Sequence, residues 1–320
     1  MKTKDLIFVV VLSLVLPIVI LLCAPDRNIV QADIEQQETQ DSSVESYSVI
    51  EIPVLHSDGT VMKMDLEDYV LGVTLSEMPA EFEYEALKAQ SVAARTYALK
   101  KYESRNKHSD SAICVDSNCC QGYVSKTYFL NNGGTEQQYE KIAKAVAETS
   151  GQILIYAGEL IDATYFSCSG GRTEDALAVW GSDVPYLRSV DSPGEEAAKH
   201  FTDTKSISVD DFQSILGVKL TGKPEIWFKS VSYTSGGGIA SMIIGDKSFD
   251  GTELRRMLEL RSTSFTLSVT GNDIIISTKG FGHRVGMSQY GADALALSGK
   301  NYKEILAHYY HNTELITYMP

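Results

Sequence analysis

Positive charge is scarce in this chain: 28 lysines and arginines face 42 aspartates and glutamates, for a net charge of −14. That balance excludes a nucleic-acid partner and electrostatic capture of anionic polymers. It leaves room for a neutral polysaccharide, which aromatic rings and hydrogen bonds hold without charge. The sequence also lacks an internal repeat and a glycine-rich phosphate loop, which sets aside repeat architectures and phosphate-cradling enzymes. No nucleophile elbow surrounds Cys168 or Ser169, so a covalent mechanism with His283 as base has no local support. What is present in quantity is apolar and aromatic: 43% hydrophobic residues and 17 tyrosines, enough for a real core.

The apolar content is concentrated first at the N-terminus. Leu6 to Ala24 is broken only by Ser13 and Pro17, and a bilayer core needs about 20 apolar residues in a helix. Lys2 and Lys4 precede it, which puts residues 1–5 in the cytoplasm. No A-x-A site follows, and Leu22 stands before Cys23 where lipidation asks for a small residue. The sequence therefore predicts an uncleaved, single-pass anchor over 6–24 with everything after it outside the cell membrane. Residues 25–47, acidic and poor in large apolar side chains, read as a disordered stalk. One extracytoplasmic domain is expected over 48–320.

Within that domain SVIEIPVL, from Ser48, looks like a strand and Glu67 to Leu75 like a short helix. The strongest helical signal runs from Ala80 to about Lys107, where Phe82, Ala86, Ala89, Ala93 and Tyr97 share one face. Glu81, Glu83 and Glu85 near its start, and Lys100, Lys101, Arg105 and Lys107 near its end, complement the helix dipole. Pro79 suits a helix entry. A helix is also expected over Tyr139 to Thr149, then a hairpin of Gln152–Tyr156 with Leu160–Phe166. Further on come a helix capped by Ser208, strands flanking Ser235 to Gly238, strands flanking Gly271-Asn272, and a last helix from Tyr302 to Tyr310. Helices and hairpins mix without βαβ order, so the class is α+β. The expected architecture is a long buried central helix against antiparallel hairpins, with a cleft.

Four places could carry chemistry. Glu77, in Ser76-Glu77-Met78-Pro79, sits at the junction of two helices. Partial desolvation there would raise its pKa and suit a general acid, whereas a following helix N-terminus would favour the anion. His108, Cys114, Cys119 and Cys120 gather within thirteen residues, which fits either a zinc site or a disulfide outside the membrane. Gly170-Gly171, after Ser167-Cys168-Ser169, suggests backbone contact with a ligand. Gly280 to Ala292 packs four glycines with His283, Arg284, Ser288, Gln289 and Tyr290, a density that reads as a functional loop.

These motifs together resemble a known family. Tyr69-Val70-Leu71-Gly72-Val73, Glu77-Met78-Pro79, the run Glu85 to Tyr97, Ser169-Gly170-Gly171 with Val179-Trp180-Gly181, and Gly282-His283 through Ala292 look like stage II sporulation protein D. They lie in the family's order, from about residue 50 to the end. The resemblance implies a lytic transglycosylase that cuts peptidoglycan glycan between N-acetylmuramic acid and N-acetylglucosamine during engulfment, with Glu77 as the catalytic residue. It further implies that Tyr186 and Arg188, with His283, Ser288, Gln289 and Tyr290, contact substrate. One structural zinc on His108, Cys114, Cys119 and Cys120 is implied too. Cys119 replaces a second histidine of the family's site, and Arg284 stands where the family usually has glycine. Implied partners are a sporulation amidase and a polytopic membrane protein. A related alternative is a non-catalytic amidase enhancer that binds cell wall.

Overall fold

The computed structural model describes residues 50–104, 107–108 and 111–318. The cytoplasmic segment, anchor and stalk expected over 1–47 lie outside the described residues. Among the described residues no helix is long and apolar enough to cross a membrane.

The class is α+β. The central helix, Tyr84–Ser104, buries Ala86, Ala89, Ala93, Ala94 and Ala98 completely. Their small side chains let helices Leu66–Glu77, Glu136–Glu148, Gln289–Leu297 and Tyr302–Tyr309 and strand Gln152–Tyr156 pack around it. Arg95 is fully buried on this helix and makes a fork to Glu67, Nε to Oε1 at 2.7 Å and Nη2 to Oε2 at 2.6 Å. That two-point pairing fixes the first helix against the central one.

The central helix starts four residues later than its periodicity suggests. Met78 precedes a proline, which disfavours helical backbone at that position, and it takes φ −117° and ψ 131°. The chain turns a corner over residues 78–83 before the Glu83 carbonyl accepts the first helical bonds, from Ala86 and Leu87. Glu83 N donates to Asp293 Oδ1 at 2.6 Å, tying the corner to a distant helix. Glu81 and Glu83 therefore lie outside the helix, and Pro79 is part of the corner.

The expected hairpin after residue 152 is also shorter. Gln152–Tyr156 pairs with Glu159–Leu160 and, on its other edge, with Glu314–Thr317. Tyr165–Phe166 instead pairs in parallel with Met287–Ser288. This brings the stretch read as a functional loop into the interior beside the central helix.

A second hydrophobic core is built from residues between 207 and 276. It is enclosed by the sheet Ser264–Thr270, Asp273–Lys279, Thr202–Ser208 and the sheet Lys247–Asp250, Ile239–Ile244, Phe228–Tyr233. Ser208 caps helix Val209–Leu216 by accepting from Asp211 N, as its sequence predicts. The two cores are joined by a buried ion pair. Arg284 Nη1 donates to Glu174 Oε1 at 3.1 Å, and the same oxygen accepts from Thr234 Oγ1 and Gly238 N at the tip of the second lobe. Gly238 must be glycine, since a Cβ there would lie 2.4 Å from that carboxylate oxygen.

Candidate active site

Glu77 is the last residue of helix Leu66–Glu77. A C-terminus is the negative end of the helix dipole, so it disfavours a carboxylate; the next helix, whose positive end would do the opposite, begins seven residues later. Glu77 is half-buried. Its Oε1 accepts from Gly122 N at 2.7 Å, and Gln289 Nε2 makes a longer bond of 3.4 Å to Oε2. Burial raises the Glu77 carboxyl above its usual range, while these two donors pull it back part of the way. The result is an acid that holds its proton longer than an exposed glutamate, with donors in place for the anion.

Glu77 opens into a cavity of about 450 Å³ lined by Ser76, Phe129, Gly133, Gly134, Gln138, Ser167, Gln289 and Tyr290, among others. The other carboxylate on its wall is the exposed Glu81, whose Oε1 accepts from Gln138 Nε2 at 2.9 Å. Tyr290 is steadied edge-on against Phe82, ring centres 4.9 Å apart. Ser288 does not face the cavity; its hydroxyl accepts from Gly291 N and caps helix Gln289–Leu297. That cap starts the helix at Gln289 and aims the next two side chains at the cleft.

The other residues expected at the substrate sit outside this cavity. Tyr186 packs on Tyr156 and accepts from Asp162 N at 3.1 Å. Arg188 pairs with Asp183 at 2.7 Å. His283 sits between Phe166 and Trp180, accepts from Val285 N through Nδ1, and burial pushes it down to about 4, so it is neutral. None of the three lines the Glu77 cavity. The Gly170-Gly171 bend holds a buried carboxylate. Gly170 N and Ser169 N both donate to the buried Glu195 Oε2, and a Cβ on Gly170 would come within 3.0 Å of the Gly280 backbone. Cys168 faces the same carboxylate at 3.2 Å, and burial pushes its thiol up to about 12, which leaves it inert as a nucleophile.

His108, Cys114, Cys119 and Cys120 come together with all ligand atoms within 4.8 Å of one another. The three thiols are free, and the cluster could hold one metal ion. Burial first, and then its thiol neighbours Cys119 and Cys120, push the Cys114 thiol up to about 12. A cation would relieve that crowding. The cluster also bears on the cleft. Two residues beyond Cys120, Gly122 delivers its N–H to Glu77, and a Cβ there would lie 2.7 Å from Ser76 Oγ and 2.9 Å from Glu77 Oε1. Between them Gln121 is buried, held by Tyr69 OH at 3.2 Å and donating to Tyr165 OH at 2.8 Å. Sequence reasoning missed Gly122, Ser167 and the Phe129–Gly134 wall, because nothing in their local spacing marks them.

The sequence model of a family described as stage II sporulation protein matches residues 56–156. Stage II sporulation protein D of Bacillus amyloliquefaciens and of Bacillus subtilis are each 40% identical over 273 residues, covering 84% of this chain and 79% of the relative. The chain belongs to the stage II sporulation protein D family. An amidase enhancer of Bacillus subtilis is 32% identical over 301 residues, 77% of this chain and 40% of its own length. The matched family region begins just after strand Glu51–Leu55, ends with strand Gln152–Tyr156, and so contains Glu77, Gly122 and the whole His/Cys cluster. Gln289 and Tyr290 lie outside it, yet family relatives align over most of the chain.

Proposed function

We propose that this sporulation-family protein is a lytic transglycosylase acting on the glycan strand of peptidoglycan, with Glu77 as both acid and base. The observation that carries this reading is a single carboxyl with a raised pKa, held by Gly122 N–H and Gln289 at the wall of a cleft. In the first step protonated Glu77 gives its proton to the glycosidic oxygen as the bond from C1 of N-acetylmuramic acid to that oxygen breaks. In the second step the carboxylate takes the proton of the muramoyl C6 hydroxyl, whose oxygen bonds to C1 and closes a 1,6-anhydro ring. No water enters, so the paired carboxylates of a hydrolase are not required. Gly122 N–H and Gln289 stabilise the carboxylate between the steps. Tyr290 and Phe129 offer ring faces to the sugars. The likeness to an amidase enhancer supports a second reading, binding of cell wall without cleavage. Analysis of digested strands for 1,6-anhydro ends separates the two.

The metal we assign to His108, Cys114, Cys119 and Cys120 is zinc. Ligand bonds of about 2.3 Å to sulfur and 2.0 Å to nitrogen imply donor separations of roughly 3.5 Å in a tetrahedron. His108 Nε2 lies 3.3 Å from Cys120 Sγ and 3.8 Å from Cys119 Sγ. Four protein ligands close the coordination sphere, so the ion supplies structure and no open site for substrate. Elemental analysis of protein purified without added metal should give about one zinc per chain. A chelator, or Cys120→Ser, should lower the melting temperature; a metal-free chain of unchanged stability, with Cys114 in a disulfide, would overturn the assignment.

For location, the 6–24 segment anchors the chain in the cell membrane with the domain outside, where the glycan is. Protease added to intact protoplasts should remove the domain and leave the N-terminal segment in the membrane. Protection of the domain would reverse the topology. A sporulation amidase that strips stem peptides and a polytopic membrane protein are the partners this reading assigns.

A further inference from the structure

The second lobe has a cavity of about 460 Å³ that shares no lining residue with the Glu77 cleft. Its floor is the outer face of the sheet Ser264–Thr270, Asp273–Lys279, Thr202–Ser208. The register sets Thr204, Ser277 and Thr266 side by side across the three strands, and Thr202, Lys279 and Ser264 side by side two residues away. Strand alternation puts both rows on one face, with strands about 4.8 Å apart. Residues between the rows, Phe265 and Thr278, are buried from the other side.

Two features of this face point to a ligand. The hydroxyls of these Ser and Thr residues make no hydrogen bond among the described residues, and Lys279 has no ion-pair partner there. Tyr233 forms a wall of the same cavity and is 63% exposed. Its backbone is held in place: it ends strand Phe228–Tyr233, pairs with Ile239, and is followed by Thr234, whose hydroxyl is bound to the buried Glu174. An exposed ring on a strand-bound backbone therefore borders an array of free hydroxyls. The one acidic group in the lining, Asp203, is neutralised by Arg261 at 2.9 Å.

We infer that this cavity is a second binding site for the glycan strand, separate from the cleft where the strand is cut. The inference rests on the proposed glycan substrate. A sugar ring presents a C–H face that suits the negative face of an aromatic ring. Its hydroxyl and acetamide groups can pair with both rows of the sheet, donating and accepting as Ser and Thr allow. The lactyl carboxylate of a muramic acid whose peptide has been removed is the complement of Lys279. Binding a strand at two points on one chain raises the effective concentration of the glycan at the cleft.

The test is calorimetric titration of the full chain carrying Glu77→Gln, so that binding is read without turnover. The probes are peptide-free strands of alternating N-acetylglucosamine and N-acetylmuramic acid, and chitin oligomers of equal length, which lack the lactyl group. Adding Tyr233→Ala should weaken both ligands roughly tenfold. Adding Lys279→Ala should weaken the muramic strands several-fold and leave chitin binding unchanged. Folding of each variant is checked by its melting curve. Muramic-strand affinities unchanged in both folded variants would overturn the site. The catalytic reading stands or falls separately, on whether the chain with Glu77 intact makes anhydro ends.

Discussion

Replacing Glu77 by glutamine should abolish release of 1,6-anhydro ends while leaving the fold intact. Loss of a general acid costs about 10²–10⁴-fold in rate, and here the same group also serves as base. Glutamine keeps the volume and can still accept from Gly122 N, but it carries no proton to give. Stability gives an independent sign. Burial holds the Glu77 pKa above its unfolded value, so the native state binds the proton more tightly than the unfolded chain does. Its contribution is present below the ordinary carboxylate pKa and lost as pH rises through the raised one. The Glu77→Gln chain should therefore melt no lower than the parent at neutral pH, and the difference should vanish in acid.

Activity should be bell-shaped in pH, falling on the basic side as the acid form of Glu77 is lost. Gln289→Leu removes a donor that stabilises the anion, so that limb should move to higher pH. Glu81→Gln and Glu85→Gln serve as controls, since neither carboxylate bonds to Gly122 or Gln289. Near-normal release of anhydro ends by the Glu77→Gln chain would sink the mechanism and promote the wall-binding reading.

The second large effect is expected at Arg284. Its guanidinium is 2% exposed and its partner Glu174 is fully buried. Besides Glu174 it donates to three backbone carbonyls, of Ser169, Arg172 and Gly236, each at 2.7 Å. Arg284→Met fills the space but leaves Glu174 without a countercharge and three carbonyls without donors. Breaking a buried pair from one side costs about 3–5 kcal/mol, a large share of a domain's net stability. The double change Glu174→Gln with Arg284→Met should recover part of it, because no charge is then stranded. Urea unfolding midpoints measure both. A loss below about 1 kcal/mol for Arg284→Met, the range of an exposed pair, would show that the pair does not hold the lobes.

The backbone at Arg284 suits the glycine that the family resemblance leads one to expect there. It has φ +67°, in the left-handed region that glycine enters without strain. An arginine there is strained by about 1–2 kcal/mol, which the four hydrogen-bonded groups around it offset. Arg284→Gly should relieve the backbone and still destabilise the protein, because Glu174 loses its partner.

Local pattern carried much of this protein. The alanine and aromatic spacing from Ala86 to Tyr97 marked the buried helix, because burial of one face repeats every 3.6 residues whatever lies opposite. The compact spacing of His108, Cys114, Cys119 and Cys120 marked the cluster, because a short chain can close a loop on itself at little entropic cost. Motif order singled out Glu77 and the family. The environment of Glu77 is another matter. Its two donors are 45 and 212 residues away, and its place at the end of one helix follows from how Met78 and Pro79 turn the chain. The expected sign of the dipole effect was ambiguous until that corner was located. Likewise, nothing near Tyr165 announces its parallel pairing with Met287, and Glu174 meets Arg284 across 110 residues. Periodicity encodes which face of an element is buried. Which partner covers that face is decided only when distant elements pack, so Glu77 could be singled out in the sequence while its surroundings were settled by the fold.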